Sequence, residues 1–168
     1  MTVNIEDKNF TSRLVKELNA IKGKRIIVGI FGEEGTDILI IASVNEFGTT
    51  ITVTPKMRAF LHGQGLHLRN STTSINIPER SYIRSGYDNR KDSIIAFAQN
   101  RLIELYNFRI TAEQYLNGLG EYITGQIRDY MTSLTTPPNH PYTIQKKKSS
   151  NPLIDTGRLR QSITYKIE

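Results

Sequence analysis

No cysteine occurs anywhere in the 168 residues. That absence removes disulfides, thiolate nucleophiles and thiolate metal sites together, and it suits a reducing compartment. Long apolar runs are missing as well. The densest stretches, residues 26–31 and 38–42, fall far short of the ~20 residues a helix needs to span a bilayer. The opening MTVNIEDKNF lacks a basic region followed by an apolar core, unlike a secretory signal. The expectation is a soluble protein made inside the cell, with no membrane partner.

Recognisable chemistry is scarce too. The three histidines, His62, His67 and His140, are scattered and show no metal-ligand spacing, so they read as solvated or packed side chains. GIFGEEG, residues 29–35, sets glycines after an apolar run but has neither dinucleotide nor P-loop spacing. A strand-to-helix turn accounts for it. No Ser-His-Asp set or acid pair stands out from spacing. Neither enzymatic activity, nor a metal, nor a cofactor is expected.

What is present is a basic, modestly apolar chain. The net charge is +6 with a pI near 9.6, and 38% of residues are hydrophobic. The charge suits an acidic partner such as nucleic acid, though many ordinary proteins share it. The low apolar share implies segments that are extended or buried only by partners.

Periodicity predicts one α+β domain over residues 1–168, a small mostly antiparallel sheet packed on two long helices. Residues 8–22 put Phe10, Leu14, Leu18 and Ile21 on one helical face, with Gly23 as the stop. RIIVGIF reads as a strand buried on both faces, and residues 37–48 as a short helix. TTITVT and TSINI alternate, so residues 49–78 read as a protruding β-hairpin. A helix over 88–109 would be capped by Asp88 and bury Ile95, Ala98, Leu102, Leu105 and Tyr106. A second, over 111–134, starts at a Thr111/Gln114 capping box and presents Ala112, Leu116, Leu119, Ile123, Ile127, Tyr130 and Leu134. Its glycines, Gly118, Gly120 and Gly125, mark either close packing or a local break. Residues 135–152, with four prolines and three consecutive lysines, read as an extended arm that contributes little to its own domain. SITYKI closes the chain as a strand.

The stretch PLIDTGRL contains the Asp-Thr-Gly of aspartic proteases. A retropepsin-like protease needs that triplet on a tight loop inside a β-rich subunit, with sheet following it. Here it stands 13 residues from the last residue of the sequence, behind two long helices. Asp155 reads instead as an N-cap, accepting from the amides of Gly157 and Arg158.

Four stretches in order resemble the tail-completion or neck proteins of tailed bacteriophages, also described as virion-morphogenesis or minor tail-component proteins. They are NEFGT at Asn45, Glu46, Phe47, Gly48 and Thr49, then IPERSYIR with Pro78, Arg80, Tyr82 and Arg84, then a helix pair with Gly120 in its second member. The last is an arm with Pro137, Pro138, Thr143, Lys146, Lys147 and Lys148, leading into Asp155, Thr156, Gly157, Arg158 and Leu159. The chain departs from the pattern at Ser81 and Tyr82, where family members commonly carry proline and phenylalanine. The resemblance covers residues 43 onward and implies a structural, non-catalytic subunit. It implies a homo-oligomeric ring, commonly sixfold, joining the tail terminator or tube to a head-completion or connector protein, with phage DNA passing through the lumen. Asn45–Gly48 has a local reading as a helix end with a glycine stop, and a second as a partner contact. Arg80 and Arg84 are either solvated or bound to acidic groups of a neighbour. A nucleic-acid-binding protein using Lys146–Lys148 and Arg158/Arg160 is the alternative function, and the protease a minor one.

Overall fold

The computed structural model describes residues 10–32 and 35–168. Helix α1 (Thr11–Ile21) ends just before Gly23, whose φ of 75° turns the chain. β1 (Ile26–Gly29) leads into α2 (Thr36–Phe47). Gly48 stops α2 at φ 69°, where a Cβ would lie 2.7 Å from the Glu79 amide nitrogen, so a side chain is excluded twice. β2 (Thr49–Thr52), α3 (Pro55–Gly63) and β3 (Ser74–Ile77) follow. Then come α4 (Arg84–Tyr106), α5 (Ala112–Ser133), α6 (Pro141–Lys147), α7 (Arg158–Gln161) and β4 (Thr164–Ile167).

The fold is α+β, with two small antiparallel ribbons rather than one continuous sheet. β1 pairs with β4, Ile26 opposite Ile167, and β2 with β3, Thr49 opposite Ile77. α4 and α5 form an antiparallel hairpin: Gly86 meets Tyr130, Phe97 stacks on Tyr122 at 3.9 Å, and Gly118 meets Arg101. β4 lies across α5, and Arg128 donates to the carbonyls of Gln161 and Ile163. The main core joins Ile38 and Ala42 of α2, Tyr82, Ile127 and Met131 of α5, and Leu153, Leu159 and Ile163. Among the described residues no helix is long and apolar enough to cross a membrane.

Several expectations are corrected. β1 is not buried on both faces, because its sheet has only two strands, and Ile27 is 38% exposed. The 49–78 segment does pair β2 with β3, but its middle is helical. Thr54 Oγ1 caps α3 by accepting from the Met57 amide at 3.2 Å, and Pro55 opens the first turn. α4 begins at Arg84, leaving Asp88 exposed one turn inside it. Its buried stripe runs through Ile94 and Leu105, while Ile95, Leu102 and Tyr106 face outward. In α5 the residues in deepest contact are Gly120, Thr124, Ile127 and Met131, shifted from the expected face, although Ala112 and Ile127 are buried as expected. The Thr111/Gln114 capping box is present in both directions. On α1, Phe10 and Leu18 are largely exposed, and residues 8–9 lie outside the described residues.

The arm is the largest correction. Residues 141–147 are a helix, not an extended strap. Pro141 occupies the first helical turn, where a missing amide hydrogen costs nothing, and the His140 ring accepts from the Tyr142 amide.

The glycines of α5 divide by environment. A Cβ on Gly120 would collide with the Tyr165 ring of β4, whose hydroxyl donates to Asn117 at 3.0 Å, whereas nothing lies within 4 Å of one on Gly125. Gly120→Ala is therefore expected to destabilise by ~1–3 kcal/mol through overpacking. Gly125→Ala should stabilise by up to ~1 kcal/mol through helix propensity. Urea unfolding of the two variants checks this, and a shared sign would contradict the close-packing account.

Candidate interaction face

The residue preceding helix α4 supplies no cap, although Ser81 Oγ accepts from the Ser85 amide at 3.4 Å. The residue before it, Ile83, has no side chain able to accept a hydrogen bond, yet a helix N-terminus leaves several amides unpaired. Glu46, in the last turn of α2 and only 4% exposed, supplies the acceptor. Its carboxylate accepts from the amides of Ile83 at 2.9 Å and Arg84 at 3.1 Å, from Ser81 Oγ at 3.0 Å, and from Arg84 Nε at 3.0 Å. The negative charge also sits at the positive end of the α4 dipole. Arg84 completes the junction: Nη2 donates to the Glu46 carbonyl and to Glu79, and the guanidinium lies 4.6 Å over the Phe47 ring. Glu46 is the first cause of the rise in the Arg84 pKa above its ordinary value.

Arg80 works on the opposite side of the same turn. Its amide donates to the Asn45 carbonyl at 2.8 Å, binding the strand leaving β3 to the end of α2. Arg80 as a whole is 4% exposed. Nε donates to the Pro137 carbonyl at 2.7 Å, and Nη2 to the Pro138 carbonyl and to Asn139 Oδ1. Burial lowers the Arg80 pKa below its ordinary value. Asn139 then donates to the Pro152 carbonyl at 3.1 Å, a carbonyl shared with Lys147 Nζ at the same distance. Asn151 donates to the Thr132 carbonyl, and its own side-chain oxygen accepts from the Leu153 and Ile154 amides. Residues 137–153 are thus held to the domain at both ends.

Two of the stretches that carry the resemblance, and the proline start of the last, therefore meet in space. Asn45, Glu46, Phe47, Gly48, Arg80, Tyr82 and Arg84 form one junction, and Pro137 and Pro138 are bound to it through Arg80. Pro78 follows β3 directly, whereas Gly120 packs on Tyr165 and Arg158 on Asp37, away from it. Thr143 and Lys147 lie beside it, and both line a groove of about 440 Å³ with Asn45 and Arg80. Lys146 turns away to bond Gln64, next to the Tyr142 hydroxyl on the Gln64 carbonyl. Lys148 ends α6 in the left-handed region, exposed. Sequence reasoning missed Asn139, Asn151 and Ser81. Their signal is weak, because each bonds a partner many residues away.

Asp155 is not the cap expected of it. Gly157, at φ 81°, is the residue preceding α7, and the Arg158 amide points to Thr156 Oγ1 at 3.4 Å. Only Gly157 suits that left-handed position, which leaves Asp155 too far back to cap. Its charge acts on Lys147 instead, raising an ammonium pKa that burial chiefly lowers. Arg158 pairs with Asp37 in a two-pronged contact at 2.6 and 3.2 Å, fastening α7 to the start of α2 and lowering the Asp37 pKa. Leu159 fills the core below. The Asp-Thr-Gly triplet thus lies in an irregular turn ahead of a four-residue helix.

Tyr82 is held by its ring alone. Its ring is fully buried, but among the described residues its hydroxyl has no hydrogen-bond partner. Burial, and then the nearby Glu46 charge, push its pKa well above the ordinary phenol range. The site is shaped for the ring and makes no use of the oxygen.

Glu46→Gln would turn an amide N–H toward buried donors and should cost about 1–3 kcal/mol. Tyr82→Phe should be neutral or stabilising, since it removes an unpaired buried hydroxyl. Thermal unfolding of both variants checks the pair, and a destabilising Tyr82→Phe would contradict the assignment. Replacing residues 139–150 with a Gly/Ser linker should lower the melting temperature, because Asn139 and Lys147 are lost together; an unchanged value would mean the arm does not rest on the domain.

No family model matches the chain, and no curated protein or solved structure is similar to it.

Proposed function

We propose that this protein is a structural subunit of the neck of a tailed bacteriophage, a tail-completion ring component joining the tail to the head-side connector. The observation that carries the reading is the convergence at Glu46 and Arg80. NEFG, IPERSYIR and the Pro137–Pro138 segment lie far apart in the sequence, yet they bond to one another directly. Pairing of β2 with β3 brings the first two together, and Arg80 adds the third.

The division of the surface also supports it. Outward-facing Ile95, Leu102, Ile103 and Tyr106 on α4, and Ile40, Ile41 and Phe47 on α2, give a small subunit apolar area to bury against neighbours. A homo-oligomeric ring, a tail terminator or tube, and a head-completion protein are the partners that fit. The nucleic-acid alternative is less well served, since Lys146 bonds Gln64 and Arg158 pairs with Asp37 within the chain.

Deleting the gene from the phage that carries it tests the reading. Electron microscopy of the lysate should show filled heads and finished tails that remain unjoined, and restoring the gene should rejoin them. Normal virions from the deletion, with the protein absent from purified wild-type particles, would overturn the proposal.

A further inference from the structure

Along α2, Ile38 and Ala42 face the core, while Ile40 and Ile41 are 60% and 44% exposed. Ile40, Ile41 and Val44 form one wall of the 440 Å³ groove, and Arg80 and Lys147 line it from the arm side. Ile40 in particular is mostly uncovered by the fold.

The cationic side has spare capacity. The hydrogen bonds of Arg80 leave from Nε and Nη2 alone and end on carbonyl or amide oxygens. Nη1 makes none of them, and it is not sealed from solvent. Among the described residues no carboxylate bonds Arg80. Lys147 uses Nζ for a single bond, to the Pro152 carbonyl, which leaves further N–H donors. The two cations lie near enough for Arg80 to disfavour the Lys147 charge, and among the described residues Asp155 is the acid whose field offsets it. The groove therefore pairs a surplus of positive charge with an aliphatic wall.

We propose that this groove docks a partner segment carrying a carboxylate beside an aliphatic side chain. The aliphatic group packs on Ile40, Ile41 and Val44, and the carboxylate is taken by Lys147 Nζ and Arg80 Nη1. Partial desolvation makes such a charge-assisted contact stronger than its surface equivalent. A nucleic-acid backbone is a poorer occupant, because a hydrated phosphate would leave the isoleucines uncovered. The inference deepens the neck reading and rests on it for the partner's identity alone.

Panning a random dodecapeptide display library on the immobilised full-length protein tests the groove without reference to virions. Enriched peptides should place Asp or Glu within a residue or two of Leu, Ile or Val. Fluorescence anisotropy should show their affinity falling about tenfold when the acid becomes Gln, and about tenfold on Lys147→Met. Ile40→Ser, at a position the fold does not bury, should weaken binding as well, and circular dichroism checks that both variants are folded. Failure to enrich any peptide, enrichment without acids, indifference to Lys147→Met and Ile40→Ser, or displacement of the peptide by a short DNA duplex would each overturn the proposal. Absence of the protein from virions would remove the neck reading while leaving a positive groove result intact.

Discussion

The Glu46 carboxylate at the first turn of α4 is the constraint on which the rest of the arrangement depends. A helix N-terminus packed against a core must find acceptors for its free amides, and beside it in sequence α4 has only Ser81 Oγ, which accepts from the Ser85 amide at 3.4 Å. The acceptor comes from α2, so the helix can start only where α2 ends. The same solution recurs on α5, where Glu17 of α1 accepts from the Ala112 amide at 2.7 Å alongside the local capping box. Each long helix is thus tied at its start to a shorter helix earlier in the chain. Burying Glu46 requires compensation, and Arg84, Ser81 and two amides supply it together.

Arg80 extends this order outward. Four residues from Arg84, it faces away from Glu46 and gathers the carbonyls of the proline segment. A guanidinium fits this task better than an ammonium would, because its planar fork reaches several acceptors at once. The arm is therefore a continuation of the domain, and its short helix presents Thr143 and Lys147 at a fixed height above α2. A rigid inner junction with an apolar and cationic outer surface is an economical design for an assembly subunit. A segment docking in the groove would meet a preformed surface and lose little ordering entropy there.

What was legible in the sequence was local. The Thr111/Gln114 box spans three residues and is legible in them, as are the α2 boundaries to within one residue and the last strand. The Asp88 cap was misplaced because the true cap, Glu46, lies 38 residues before Arg84 in sequence. Pro141 counts toward an extended arm in the sequence, and the alternation around Pro55 suggests a continuous ribbon, whereas each proline opens a helix whose preceding residue, His140 or Thr54, accepts a backbone amide. The face of α4 was ambiguous because neighbouring pairs such as Ile94–Ile95 and Leu102–Ile103 give it apolar residues on more than one side. Only packing against α5 decides between them. The order of the resemblance motifs could be read along the chain, but their meeting at Glu46 and Arg80 could not.

Hydrogen exchange at the Ile83 and Arg84 amides tests the central claim most directly. First-turn helix amides have no intrahelical acceptor and ordinarily exchange by local fraying. If the Glu46 carboxylate holds α4 in place, both amides should exchange as slowly as the core of α5, and only through global unfolding. Exchange at the rate of an open helix end would contradict the account.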